Sequence, residues 1–165
     1  MNRTHPPSDP RLLATRSEIR DAGVAIAQTA RRELLVFDRT LDCDLYNAQT
    51  FVEAVKRLAL ARPDAPVRVL LSYPEQGVKN VNQVVELAQR LTSRIAIRRL
   101  VDDLPVRPDA FLIADERTYL KRPLAEGSEG IADMHGRVEA RRLRNDFEQM
   151  WEHAEIHVEL RRLHL

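Results

Sequence analysis

Three observations predict an α/β sandwich with a mostly parallel central sheet flanked by helices. Short apolar runs alternate with stretches of helical period. The first three such runs, Glu33–Asp38, Val67–Tyr73 and Ile95–Val101, are each separated from the next by one helix-length segment. The chain ends in a strict polar–apolar alternation, Glu155-Ile-His-Val-Glu-Leu-Arg161. Strand–helix–strand units close right-handed and put their strands parallel, with helices covering the sheet.

Residues 1–10 carry three of the nine prolines and little apolar content, which predicts a flexible lead-in before a single domain over 11–165. From Leu12 to Arg32 the pattern is helical, with Ile19, Val24 or Ile26, Ala27 and Ala30 near one face. Glu33–Asp38 suits a buried strand. Asn47–Ala61 is helical, with Phe51, Val55, Leu58 and Ala59 on one side, and Pro63 and Pro66 stop it. A second strand follows at Val67–Tyr73. A helix over Asn80–Thr92 has Val81, Val84, Val85, Leu87 and Leu91 as its apolar side, and the strand Ile95–Val101 comes next. After the loop 102–109, Ala110–Ala114 and Thr118–Lys121 read as a hairpin. Gly127, Gly130 and Gly136 make 123–136 a long loop. The last helix runs from Gly136 to about Ala154 with Leu143, Phe147, Met150, Trp151 and Ala154 on its apolar face. Period 2 makes the tail a strand.

With 26 basic and 25 acidic residues the net charge is +1, so no global field points to nucleic acid or an acidic membrane. Cys43 is the single cysteine, which excludes an internal disulfide and makes a small buried residue its simplest role. The N-terminus lacks the apolar core of a secretory signal and no apolar run reaches the roughly 18 residues of a membrane span, so a cytoplasmic location is expected. Walker-A, Gly-x-Gly-x-x-Gly and Gly-x-Ser-x-Gly motifs are missing, and no cofactor is expected.

The run Pro108-Asp-Ala-Phe-Leu-Ile-Ala-Asp115, followed by Glu-Arg-Thr-Tyr-Leu-Lys-Arg122, falls where a phospholipase D-type phosphodiesterase keeps its His-x-Lys-x4-Asp motif. With Leu34-Leu-Val-Phe-Asp-Arg-Thr-Leu41, Tyr46, Val67-Arg-Val-Leu-Leu, Leu120-Lys-Arg-Pro123, Phe147-Glu-Gln-Met-Trp151 and Leu160-Arg-Arg-Leu-His-Leu165, the chain resembles the phospholipase D-like fold. More narrowly, it resembles an uncharacterised bacterial family with a degenerate domain of that fold, some of whose members are fused to a GNAT-type acetyltransferase. The resemblance covers Leu12 to Leu165 and implies a phospholipase D-like sandwich. In that frame the motif His is a nucleophile and the Lys binds phosphoryl oxygens. Here the His position is Pro108, the Lys position is Ala110, and only Asp115 remains. The motif's Gly-Ser pair would fall at Arg122-Pro123. Losing a covalent nucleophile removes the step that divides the reaction in two. The resemblance also implies a homodimer and an acetyltransferase-type or other protein partner.

The residues themselves offer further candidates. Asp38 and Arg39 end the first strand, and Ser72 and Tyr73 end the second. Parallel sheets bind ligands beyond such ends, so these four with Asp115 and Arg122 form the candidate pocket, against a reading as turn chemistry. Arg137, Arg141, Arg142 and Arg144 crowd the first turns of the last helix, against its dipole. Glu139, Asp146 and Glu148 stand near enough to pair, and Arg137, Arg141 and Arg144 are the alternative anion-binding set. No metal is expected: Asp42 and Asp44 are two carboxylates without further ligands, and His153 and His157 diverge if the helix ends near Ala154. The leading expectation is a non-catalytic binding or regulatory module for a small, anionic ligand or a protein partner. An enzyme using Asp38, Asp115 and Arg122 is one alternative. A nucleic-acid module using Arg137–Arg144 is the other, with few aromatics to stack bases.

Overall fold

The computed structural model describes residues 5–72, 82–101 and 107–156, with the side chain of Cys43 excepted. Tyr73, His157 and the remainder of the tail, and the reading of Cys43 as a buried residue, lie outside the described residues. Eight strands form one sheet: β1 (Arg11–Leu13), β2 (Leu34–Asp38), β3 (Val67–Leu71), β4 (Ile95–Arg99), β5 (Ala110–Ala114), β6 (Thr118–Arg122), β7 (Gly130–Asp133) and β8 (Glu155–Ile156). The helices are α1 (Arg16–Thr29), α2 (Cys43–Tyr46), α3 (Gln49–Ala61), α4 (Gln83–Arg90) and α5 (Arg137–Glu152).

The strand order is β1-β7-β6-β5-β2-β3-β4-β8. β2, β3 and β4 are parallel, as the strand–helix–strand pattern requires. β5 pairs antiparallel with β2, β6 and β7 continue that pattern, and β8 adds antiparallel to β4. The antiparallel part is thus larger than a hairpin and a tail.

Alternation along the strands divides the apolar residues between two faces. Leu34, Val36, Val67, Val69, Leu71, Ile95, Leu112 and Leu120 pack against α1, α3 and α4 through Ile19, Ile26, Phe51, Val55, Leu58, Val84 and Leu87. Leu35, Phe37, Leu70, Phe111, Ile113 and Tyr119 meet α5 alone, through Ala140, Leu143, Phe147 and Trp151. Leu143 and Trp151 are therefore core.

Two elements depart from the sequence expectation at the β1 edge. The Leu12–Arg32 segment is a short strand and then a helix. Thr15 caps α1, its hydroxyl accepting from the Glu18 N–H (3.1 Å) and donating to Glu18 Oε1 (3.1 Å). β1 pairs with β7, which lies inside the stretch read as loop. The lead-in is tethered there. The Asp133 carboxylate accepts from the Ser8 hydroxyl (2.6 Å) and from the N–H groups of Asp9 (3.2 Å) and His135 (2.8 Å). Burial pushes the Asp133 carboxyl up, and these hydrogen bonds outweigh that and leave it below its ordinary value.

Candidate functional site

The end of the sheet where β2 finishes carries a row of residues across four strands. Phe37 pairs with Phe111, so the next step sets Asp38 beside Ala110; Ala110 pairs with Arg122, and the step beyond Lys121–Ile131 sets Arg122 beside Gly130. Because Ala110 and Gly130 are small, the long Arg122 side chain fits between its neighbours. A Cβ on Gly130 would stand 3.4 Å from Arg122 Cγ. Asp38 and Arg122 are each only 1% exposed. Arg122 Nη2 lies 3.4 Å from Asp38 Oδ1, and its Nη1 donates to the Ala125 carbonyl at 2.5 Å. Asp38 also accepts from the Arg39 N–H (2.7 Å) and the Asp42 N–H (3.1 Å). Those two bonds fold the loop after β2 back over the row and hold Leu41 at φ 57°, a conformation that costs a bulky L-residue of order 1 kcal/mol.

Tyr46 of α2 is buried on the three-helix side of the row, close enough for the Asp38 and Arg122 charges to act on its phenol. Burial, then the Asp38 charge, raises its phenol well above the ordinary value. Burial likewise pushes the Asp38 carboxyl above its ordinary value of 3.8, while Arg122 and the two N–H groups pull it back. The cluster is internally satisfied. It holds a carboxylate, a guanidinium that cannot act as a base, and a phenol held in its protonated form, and none of these is a nucleophile in reach of solvent.

Ser72 and Arg39 lie at the same end. Ser72 is half-buried and donates its N–H to the Asp38 carbonyl (3.0 Å). Arg39 pairs with Glu126 of the β6–β7 loop (3.0 Å). Pro108 is here too, and its carbonyl accepts from the Ala125 N–H (2.8 Å).

Asp115 lies at the opposite end. Ala114 pairs with Leu34, the first residue of β2, whereas Asp38 is the last. Four strand steps of about 3.3 Å separate them, roughly 13 Å. A single site built on Asp38, Asp115 and Arg122 is therefore corrected: Asp38 and Arg122 converge and Asp115 does not. Asp115 and Glu116 form the two central positions of the β5–β6 turn, at φ 56° and 55°, closed by Arg117 N–H to Ala114 O (3.0 Å). The Asp115 carboxylate accepts the N–H groups of Arg31 (2.9 Å), Arg32 (2.8 Å) and Glu33 (2.9 Å). It latches the β5–β6 turn to the segment entering β2.

Of the α5 arginines, Arg141, Arg142 and Arg144 stand beside acids, whereas Arg137 has only His5 beside it. Arg144 forks onto Glu33 (2.6 and 3.2 Å) and reaches Glu116 (3.3 Å). Arg142 pairs with Glu139 (2.5 Å), Arg141 stands 3.8 Å from Glu116, and Arg137 contacts His5 (3.3 Å). Among the described residues no three His, Cys, Asp or Glu side chains gather as a metal site, and no helix is long and apolar enough to cross a membrane.

The charged groups that pattern reading missed lie at the Asp115 end. Arg31 and Arg32 enter β2, Arg62 follows α3, and Arg117 closes the hairpin turn. All four are exposed, and their guanidinium groups have no partner among the described residues. Arg32 and Arg62 border a cleft of about 330 Å³ on one side of Asp115, and Arg31 and Arg117 border one of about 420 Å³ on the other. The signal was topological. Residues that precede parallel strands collect at one end of the sheet, however far apart they are in sequence.

A family described as a domain of unknown function, DUF7931, matches residues 15–163. The chain belongs to this family. No curated protein matches it. Among solved structures, it resembles the phospholipase D family member Nuc from Salmonella typhimurium, with a TM-score of 0.59 and 14% identity over 92% of this chain and 99% of that one. NucT from Helicobacter pylori gives a TM-score of 0.64 at 11% identity, over 92% and 100%. TrmBL2, an archaeal chromatin protein with a novel mode of DNA binding, gives 0.62 at 15% identity, over 94% of this chain and 56% of TrmBL2. Identities this low establish the fold of this DUF7931 member: phospholipase D-like.

Proposed function

We propose that this DUF7931 domain is a non-catalytic, degenerate phospholipase D-like module that binds a ligand or partner without turning it over. The buried Asp38–Arg122–Tyr46 cluster carries this reading. It occupies the end of the sheet to which Pro108 and Ala110 belong, the positions that the resemblance assigns to the nucleophile and its lysine. The side chains gathered there are spent on one another and on backbone groups. The acid that survives from the motif, Asp115, is committed to three backbone N–H groups elsewhere.

The test is hydrolysis of bis(p-nitrophenyl) phosphate and of end-labelled single- and double-stranded DNA, by the intact chain and by Asp38→Asn. No turnover above buffer in either is the expected result. Turnover that disappears in Asp38→Asn would overturn the module reading in favour of a rebuilt phosphodiesterase. The homodimer and the acetyltransferase-type partner rest on the family resemblance alone. Light scattering on the purified chain addresses the homodimer, with a mass twice the 19.0 kDa of one chain as the supporting result.

A further inference from the structure

We infer that the end of the sheet opposite the buried cluster is a surface for the phosphate backbone of nucleic acid, built by Arg31, Arg32, Arg62 and Arg117. This rests on the reading of the chain as a binding module and names its partner.

The argument is one of unspent charge. Acids do lie among these arginines. Asp115 accepts only the neutral N–H groups of residues 31 to 33, so its negative charge stays in place between the two clefts. Glu33 is held by Arg144, and Glu116 faces Arg144 and Arg141. Asp64 also lies outside these pairs, and it lines a third cleft, which adjoins the first through Arg32 and Arg62. The guanidiniums of Arg31, Arg32, Arg62 and Arg117 are both exposed and free. Two more arginines of this end, Arg57 and Arg94, donate only to neutral carbonyls, Arg57 to those of Ala27, Gln28 and Ala30 and Arg94 to those of Ala59, Leu60 and Arg62. Those bonds satisfy the carbonyls at the ends of α1 and α3 and leave the positive charge in place. Among the described residues, six arginines of this end have no acidic partner, against two acids, Asp115 and Asp64, that have no basic one.

The spread of the four arginines selects the partner. They stand in two clefts separated by the Asp115 turn, so one small phosphate would engage one pair at most. A polymer with regularly spaced phosphates engages both. Arginine is suited to that contact because its planar fork matches two phosphate oxygens. Among the described residues the clefts are lined by no Phe, Tyr or Trp on which bases could stack, so contact is with the backbone and indifferent to sequence.

The test is fluorescence anisotropy with a labelled 20-base-pair duplex, titrated with the intact chain at 50 and 200 mM NaCl. Four phosphate contacts give a log–log salt slope of about −3.6, or a loss of affinity on the order of 100-fold between those salts. Arg31→Ala/Arg117→Ala and Arg32→Ala/Arg62→Ala should each reduce the slope by about 1.8. Lys56→Ala/Arg90→Ala removes the same charge from the exposed α3–α4 cleft and should leave binding unchanged. No binding at 50 mM NaCl overturns the inference. So does equal weakening by the Lys56/Arg90 variant, or binding of tripolyphosphate without binding of the duplex. Hydrolysis of the bound duplex would sink the non-catalytic reading and leave this surface standing.

Discussion

Replacing Arg122 by Met is the sharpest test of the buried cluster. Met keeps an unbranched apolar stem but is shorter than Arg, so the substitution removes the charge and its hydrogen bonds and also the packing of the guanidinium itself. It leaves the Asp38 carboxylate 1% exposed with only two N–H donors, and it leaves the Ala125 carbonyl without its 2.5 Å donor. Removing one partner of a buried pair costs about 3–5 kcal/mol. Asp38→Asn strands the guanidinium instead and should cost a similar amount. The double variant leaves neither charge exposed to the interior, so its loss should fall short of the sum of the singles by at least about 2 kcal/mol.

The pH dependence has a definite sign. Burial raises the Asp38 carboxyl above 3.8 in the folded protein. The stability linked to its proton is full below the unfolded value and is lost as pH rises through the folded one. Without Arg122 to oppose burial the folded value rises further, so Arg122→Met should lose stability with rising pH at up to about 1.4 kcal/mol per unit across that window. Asp38→Asn has no carboxyl to titrate there and should not share that added slope. Urea denaturation of all four proteins at pH 5 and pH 8 reads both effects. Additivity of the single variants within about 0.5 kcal/mol, or a cost below about 1 kcal/mol for Arg122→Met, would refute the cluster as a coupled unit.

Asp115→Ala removes three N–H contacts and a residue that tolerates φ 56° in the β5–β6 turn better than alanine does; a loss of about 2–4 kcal/mol in chemical denaturation is expected, with Asp115→Asn losing less. Asp133→Asn should release residues 5–13, seen as faster amide exchange there. The wild-type tether should loosen only on acidification, since a lowered carboxyl gives stability that is present above 3.8 and lost as pH falls through its folded value. Gly23→Ala should stabilise by about 0.5–1 kcal/mol in the same assay: the added methyl would meet Leu112 and Leu120 at 3.8 and 3.9 Å, ordinary contact distances, while a helical glycine is lost.

The parallel core was legible because burial on both faces of β2 and of most of β3 forces apolar runs, because Ile95 and Ile97 alternate along β4, and because α3, α4 and α5 each bury one face. The edge was not. β1 is three residues long and has no period to read, although Thr15-Arg-Ser-Glu18 marks the start of α1. β7 was hidden by Gly130, which reads as a loop residue and is in fact the strand position that makes room for Arg122. Among the candidate site residues, Asp38 and Arg122 were found, but their burial depends on Ala110 and Gly130 beside them, a cross-strand relation that no local pattern contains. The surroundings of the α5 arginines are set in the same way. The fold brings Glu33 and Glu116 to Arg144, and Glu116 to Arg141, from elements distant in sequence, and leaves Arg31, Arg32, Arg62 and Arg117 without such partners among the described residues.

The row Asp38–Ala110–Arg122–Gly130 also bears on how such a domain is related to an active one. Ala110 is fully buried between the two charged residues. A lysine at that position would place a second cation beside Arg122, in a space that the guanidinium already fills. The arginine and the motif lysine are therefore alternatives for one volume, and restoring His and Lys at 108 and 110 would not by itself reopen a site. The loop 123–129 is drawn in by the same side chain, through the Ala125 carbonyl, while the Ala125 N–H closes on Pro108. On the proposed reading, Arg122 in β6 therefore matters as much as Pro108 and Ala110, before and in β5: it makes this end of the sheet part of the core, and the binding surface inferred above lies at the opposite end, where Arg31, Arg32, Arg62 and Arg117 are exposed.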